Sequence, residues 1–453
     1  MQKGLYYLSA TEAITKIKSK EISLRNLIKS HLDHIKKIEP KILAWSYFDE
    51  NLALKQLADI EKKISEGKVG MLYGIPVGVK DTFNTYDMPT EMGSSIWKNY
   101  TPGNDARVVF RLRQEDAIIP GKTVTAEFAV HAEGKTLNPH DPEYSPGTSS
   151  SGSAAAVASY MVPLALGTQT GGSTIRPASY NGIYGMKPTF GLIPRTGMLK
   201  TTDTLDTVGF FSRTINDLKL MFETIRVKGH NYPFVEKYLE DKNRQNKKDQ
   251  SWKIAFVKTH VWKYAKDYVK DSVLSFKDNI SKDKKINVEE IDLTDNLKDV
   301  HDIHTTIYDK TLSYYFNKEY SEHMNQLSPV LQKIISRGNK ISLEQYKEAL
   351  EKQNEISQEM DNFFKEYDII LINSTSSEAP KKGVIENPDT CLIWTFCGLP
   401  AINLPVFKTK NNMPFGAQIV ARKYNDYLLL NFAEFLKNKD YIKNGTYPEI
   451  TLQ

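Results

Sequence analysis

Three short stretches of this 453-residue chain carry residue types suited to nucleophilic catalysis. Lys80 ends the apolar run LYGIPVGVK over 72–80. Ser149 opens a triple-serine turn. Ser173 follows Gly171 and Gly172. Consecutive residues without side chains let backbone N–H groups converge, which is how an oxyanion is held beside a nucleophile. A serine hydroxyl at 173 needs a base, and no histidine stands at a telling spacing. A buried lysine can serve, because desolvation disfavours its charged form and leaves a neutral amine. Lys80 closes an apolar strand pattern, so its burial is expected. Asp81 would point to the opposite face and need not hold Lys80 charged. Ser149 could relay a proton between Lys80 and Ser173.

Rival chemistries are poorly supported. Gly121-Lys122-Thr123 looks like the end of a phosphate loop, but Asp116 stands where the first glycine belongs. Lys122 is therefore expected to be structural. His31 with His34 and His301 with His304 are spaced to share a helix face, yet neither pair has a legible third metal ligand. His131 and His140 lack an acidic partner, and no G-x-S-x-G elbow occurs.

The elements that must position these groups read as alternating helix and strand, hence an α/β architecture with a largely parallel or mixed sheet. Ser9 with Glu12 and Ser342 with Gln345 form the pattern of capping boxes. Ser23 precedes an apolar helical pattern that Pro40 is expected to stop, and a third helix is expected over 51–64. Strands are expected at 72–80, 117–119, 252–257, 368–372, 399–406 and 415–420, with a short helix over 105–112, helices through 300–365 and a last one over 427–437. The window 145–191 holds eight glycines and eight serines, interrupted by apolar pieces, so it reads as tight loops between buried elements rather than as a linker. The charged stretch 228–299 reads as a solvated face around one strand. Glu115 and Asp116 are expected at the surface. Two cysteines make no disulfide framework and suggest a reducing compartment. The N-terminus has no apolar signal core, and no apolar run reaches membrane-spanning length. The net charge of +5, from 60 basic and 55 acidic residues, gives no argument for nucleic acid.

Taken together, these motifs resemble the amidase signature family. The segment GIPVGVKD, 74–81, is similar to the one carrying its catalytic lysine. PGTSSSGSAAA, 146–156, resembles its serine-rich loop, and GTQTGGS, 167–173, its nucleophile loop. TLDTVG at 204–209 and GLPAI at 398–402 resemble later landmarks. The resemblance implies an amidase-signature fold, a central mixed β-sheet flanked by helices on both faces, spanning 1–453 as one amidase domain. Within it, 1–68 would be N-terminal helices, 69–220 the signature core, 221–365 a charged helical region and 366–453 C-terminal core strands with a helix. It implies Lys80 as base, Ser173 as nucleophile and Ser149 as the bridging serine after a cis peptide, Ser149 being preferred to Ser150 and Ser151 by its distance from Ser173. Thr170, Gly171, Gly172 and Ser173 would form the oxyanion loop.

Departures narrow the reading. Thr148 and Ser151 stand where glycine is common, and Gln169 stands where many members, including the glutaminase component of the tRNA-dependent amidotransferase, have Asp. Arg176 lies three residues after the nucleophile rather than two, as in the stand-alone bacterial branch. It is expected either to bind a substrate carboxylate or to brace the loop against an acid such as Asp206, with Pro177 biasing it toward an extended backbone. Lys352-Gln353-Asn354 occupies a stretch where that glutaminase component would carry a substrate-binding arginine. The expected function is hydrolysis of a carboxylic amide to acid and ammonia or amine through an acyl-enzyme, with no metal or cofactor. The alternatives are the glutaminase component of a tRNA-dependent amidotransferase and a non-catalytic or nucleotide-binding α/β protein. A cytoplasmic enzyme is expected, acting on a small-molecule amide without nucleic acid or membrane, a homodimer being left open. Walls over 85–145 and 300–400 are expected to set specificity.

Overall fold

A computed structural model describes residues 4–229, 231–247, 251–443 and 448. Among the described residues, eleven strands form one mixed sheet. In chain order they are β1 (Trp45–Phe48), β2 (Val77–Lys80), β3 (Gly121–Thr123), β4 (Leu164–Gln169), β5 (Tyr184–Lys187), β6 (Thr207–Ser212), β7 (Trp252–Lys258), β8 (Ile286–Asp292), β9 (Ile369–Asn373), β10 (Ala401–Lys408) and β11 (Pro414–Ala421). Their spatial order is β1-β3-β2-β4-β6-β5-β10-β11-β9-β7-β8. The trio β3-β2-β4 is parallel, as is β9-β7-β8, and the pairings between β4 and β9 are antiparallel. Central strands are buried along their whole length, which explains their continuous apolar or small-residue composition.

Helices cover the sheet where their apolar stripes demand it. The helix Ala10–Lys18 begins with a capping box between Ser9 and Glu12, and Leu343–Phe363 with one between Ser342 and Gln345. Each cap satisfies N–H groups that the first turn leaves open, worth about 1 kcal/mol. The helix Leu24–Ile42 does not stop at Pro40. Pro40 lies near its end, where one hydrogen bond is given up, while buried Ile38 and Ile42 hold the last turn against the core. Leu43 then turns left-handed, and Glu39 accepts the N–H groups of Ala44 and Trp45.

Several boundaries differ from the sequence expectation. Of 72–80 only Val77–Lys80 is a strand, because Tyr73 and Gly74 take positive φ. A Cβ on Gly74 would lie 2.5 Å from Leu24 Cδ2, so the chain approaches the helix there as only glycine allows. The strand expected at 117–119 falls instead at Gly121–Thr123. Asp116 is buried, not at the surface: its Oδ2 accepts Gly70 N–H at 2.7 Å and its Oδ1 pairs with Lys63 at 2.5 Å. The stretch 228–299 contains a second strand, β8, at one edge of the sheet, where Glu289, Glu290 and Asp292 remain exposed or half-exposed. No helix among the described residues is long and apolar enough to cross a membrane.

Candidate active site

Lys80 is the last residue of β2 and is fully buried. Burial pushes its ammonium pKa well below the ordinary lysine value, with the Asp206 carboxylate opposing. Asp81 faces away, as strand alternation requires, and pairs with Lys122 at 3.2 Å. Lys122 also donates to Thr90 Oγ1 at 2.7 Å and Pro89 O at 3.0 Å, which accounts for it as a structural lysine.

Three hydroxyls surround Lys80 Nζ: Thr168 Oγ1 at 2.7 Å, Ser149 Oγ at 2.8 Å and Ser150 Oγ at 3.0 Å. A neutral amine has two N–H donors and one lone pair, so three hydroxyls can complete its hydrogen bonding, one of them as donor. Ser150 is not free for that role, because its hydroxyl faces Thr168 O at 3.2 Å. The cis peptide lies between Thr148 and Ser149. The helix Ser151–Ala158 starts immediately afterwards and is wholly buried. Its small residues let it pack closely, as at Gly152, where a Cβ would lie 2.3 Å from Ala44 O.

Ser173 lies in the turn between β4 and the helix Ile175–Asn181, and is 7% exposed. Gln169 organises this turn. Its Oε1 accepts the N–H groups of Thr174 at 2.8 Å and Ile175 at 2.9 Å, and its Nε2 donates to Thr395 Oγ1 at 2.8 Å. Asp206 gathers the hydroxyls of Thr170, Thr201 and Thr202 and the N–H groups of the last two.

Arg176 sits inside the helix, not in an extended segment; Pro177 is tolerated in the first turn, where N–H groups lack partners in any case. Its acidic partners are not Asp206 but Asp389, with Nε 2.7 Å from Oδ2, and Glu386, with Nη1 2.7 Å from Oε2. Burial and the neighbouring Asp389 push the Glu386 carboxyl up to about 7, with Arg176 opposing. A cavity of about 450 Å³ opens here, lined by Thr148, Arg176, His301, Glu386, Asp389 and Leu392 among others. Its lining thus includes Thr148, the residue before Ser149, and Arg176, three residues after Ser173.

The four paired histidines each face a neighbour already on the chain. His31 and His34 are buried against the carbonyls of Met161 and Ser159. His301 contacts His260, and His304 contacts Thr170 O. No cluster of three metal-ligating side chains exists among the described residues.

Sequence reasoning brought together Lys80 and the serine loops but assigned no role to Thr168, His304, Glu386, Asp389 or Thr395. Thr168 lies inside the GTQTGGS segment, 167–173. The others lie 134 or more residues beyond the loop or helix they contact, and no local pattern marks them.

The amidase family model matches residues 26–430. A protein from Agathobacter rectalis, the A component of its glutamyl-tRNA(Gln) amidotransferase, is 30% identical across 98% of this chain and 96% of its own. The solved structure of the corresponding amidotransferase component from Thermotoga maritima is 26% identical with a TM-score of 0.76, covering 99% of this chain and 98% of that one. The peptide amidase from Stenotrophomonas maltophilia shares the fold, with a TM-score of 0.81 at 21% identity over 97% of this chain and 99% of that one. The first two correct the expectation of partners without nucleic acid: full-length relatives bear the name of one component of a tRNA-linked assembly, and the charge balance that prompted that expectation could not register it. Matched over most of its length, the chain belongs to the amidase signature family and is a hydrolase of carbon–nitrogen bonds.

Proposed function

We propose that the chain hydrolyses a carboxylic amide through an acyl-enzyme on Ser173. The observation that carries this is the buried Lys80 amine, 2.8 Å from Ser149 Oγ and depleted of charge by its surroundings. Neutral Lys80 accepts a proton by way of Ser149 from Ser173, whose Oγ attacks the carbonyl carbon. The N–H groups of the 170–173 loop take the oxyanion. The C–N bond then breaks, the proton returns through Ser149 to the leaving nitrogen, and water, losing a proton to the same relay, releases the acid.

The full-length relatives favour one version of this chemistry, in which the amide is glutamine and the chain is the glutaminase component of a tRNA-dependent amidotransferase. A stand-alone amidase is the second reading. It is favoured by Gln169 and by the 352–354 stretch, where Lys352 is exposed and pairs with Glu355 while Gln353 donates to Phe396 O. The test measures ammonia release from glutamine and from aliphatic, aryl and amino-acid amides, with the chain alone and mixed with the other amidotransferase components. Glutamine turnover that rises with those partners supports the first version. Turnover of other amides by the chain alone supports the second. Failure on every amide, with no fluorophosphonate adduct on Ser173, would defeat both.

A further inference from the structure

The carbonyls of the three residues before Ser173 all have donors. Thr170 O faces His304 Nε2 at 2.9 Å, Gly171 O accepts from Thr395 Oγ1 at 2.7 Å, and Gly172 O accepts from Arg176 N at 2.9 Å. In a planar trans peptide the carbonyl and the following N–H point in opposite directions. Drawing carbonyls 170–172 toward buried donors therefore turns the N–H groups of Gly171, Gly172 and Ser173 the other way. None of those three N–H groups donates to a protein acceptor among the described residues. The Arg176 contact is an ordinary helical bond. The other two come from distant helices, Val300–Tyr315 and Cys391–Phe396.

We propose that His304 and Thr395 are positioning residues that aim the oxyanion-binding N–H groups of the nucleophile loop, with Gln169 fixing Thr395. This rests on the acyl-enzyme reading above. Because Thr395 Oγ1 accepts a hydrogen bond from Gln169 Nε2, its single proton is directed toward Gly171 O, with Cys391 O a longer second acceptor at 3.1 Å. An aspartate at 169 could accept the same backbone N–H groups but would have no N–H for Thr395. Since a carbonyl only accepts, the His304 proton resides on Nε2. Burial keeps the ring neutral, its pKa pushed down to about 4, and Tyr308 stacks on its face. Leu392, one turn from Thr395 on the same helix, lines the cavity that Arg176 and Thr148 also border.

The test uses an alkyl fluorophosphonate, whose phosphonyl oxygen would occupy the oxyanion position as Ser173 is labelled. Losing one oxyanion donor costs about 100- to 1,000-fold, so mis-aiming the donors in Thr395→Val should slow the maximal labelling rate by about 10-fold or more. The half-saturating probe concentration should stay nearly constant. Thr395→Ser, which keeps the hydroxyl, should restore the rate. His304→Phe keeps a ring against Tyr308 but loses the donor, and should slow labelling similarly; it decides the matter if Thr395→Val fails to fold. Wild-type rates in Thr395→Val or His304→Phe, or Thr395→Ser as slow as Thr395→Val, would overturn the proposal. Labelling that persists in Ser173→Ala would instead overturn the nucleophile assignment.

Discussion

Lys80 Nζ and Ser149 Oγ lie 2.8 Å apart in a pocket where the amine meets hydroxyls rather than charged side chains. Burial lowers the lysine pKa, so the amine is neutral above its folded value and an ammonium below it. Amide hydrolysis should therefore fall as pH drops through that value, with a slope of one on a logarithmic plot of kcat/KM. A profile flat down to pH 5 would argue against a lysine base that gains its proton above that pH.

Ser173→Ala should abolish hydrolysis, a loss of about 1,000-fold or more, because the acyl-enzyme can no longer form. Circular dichroism and melting temperature should remain those of the parent. Retention of a tenth of the activity would rule out Ser173 as nucleophile.

Ser149 and Ser150 both touch Lys80, yet their substitution should separate. Ser149→Ala should remove nearly all activity by breaking the proton relay. Ser150 exchanges contacts with Thr168 N and Thr168 O, both at 3.2 Å. Ser150→Ala should therefore lower the melting temperature while leaving kcat within about 10-fold of the parent, since one buried hydrogen bond contributes about 1 kcal/mol. Steady-state kinetics and thermal melts on the two variants decide which serine relays the proton.

Arg176 holds two carboxylates, Asp389 and Glu386, through two different nitrogens. Lysine cannot reproduce that fork. Removing one partner of a buried ion pair costs about 3–5 kcal/mol, and Arg176→Lys keeps the charge but loses one of the two contacts, so it should lower stability by less than that. It should reduce turnover of acidic and neutral amides alike. A rise in KM confined to acidic amides, with unchanged stability, would show instead that Arg176 receives a substrate carboxylate.

Local chemistry made much of this molecule legible. The short apolar runs became β7, β9, β10 and β11, and both proposed capping boxes formed. Lys80, Ser149 and the Gly-Gly-Ser turn were visible because each combines a reactive group with a backbone signal of burial or tight turning. The groups behind the turn were not. Thr395 and His304 act through single hydrogen bonds across 224 and 134 residues, and threonine or histidine in a helix has many other uses. Glu386 and Asp389 were equally hidden, because ion pairing with Arg176 depends on how the chain returns, not on spacing. Asp116 misled because an acid after a helix usually faces water. Here its carboxylate caps the turn at Gly70.

The placement of β8 has a consequence for how this protein behaves in concentrated solution. An outermost strand presents unpaired backbone groups to which any extended chain could add. Along β8 the sequence Ile-Asn-Val-Glu-Glu-Ile-Asp interrupts its apolar residues with acids, and Glu290 meets Lys277 at 2.5 Å while Glu289 meets the Tyr367 hydroxyl at 2.7 Å. A second copy docking edge to edge would have to strip solvent from Glu289, Glu290 and Asp292. The same charges that disguise β8 as a solvated face therefore guard an eleven-stranded sheet against growing a twelfth strand from a neighbour.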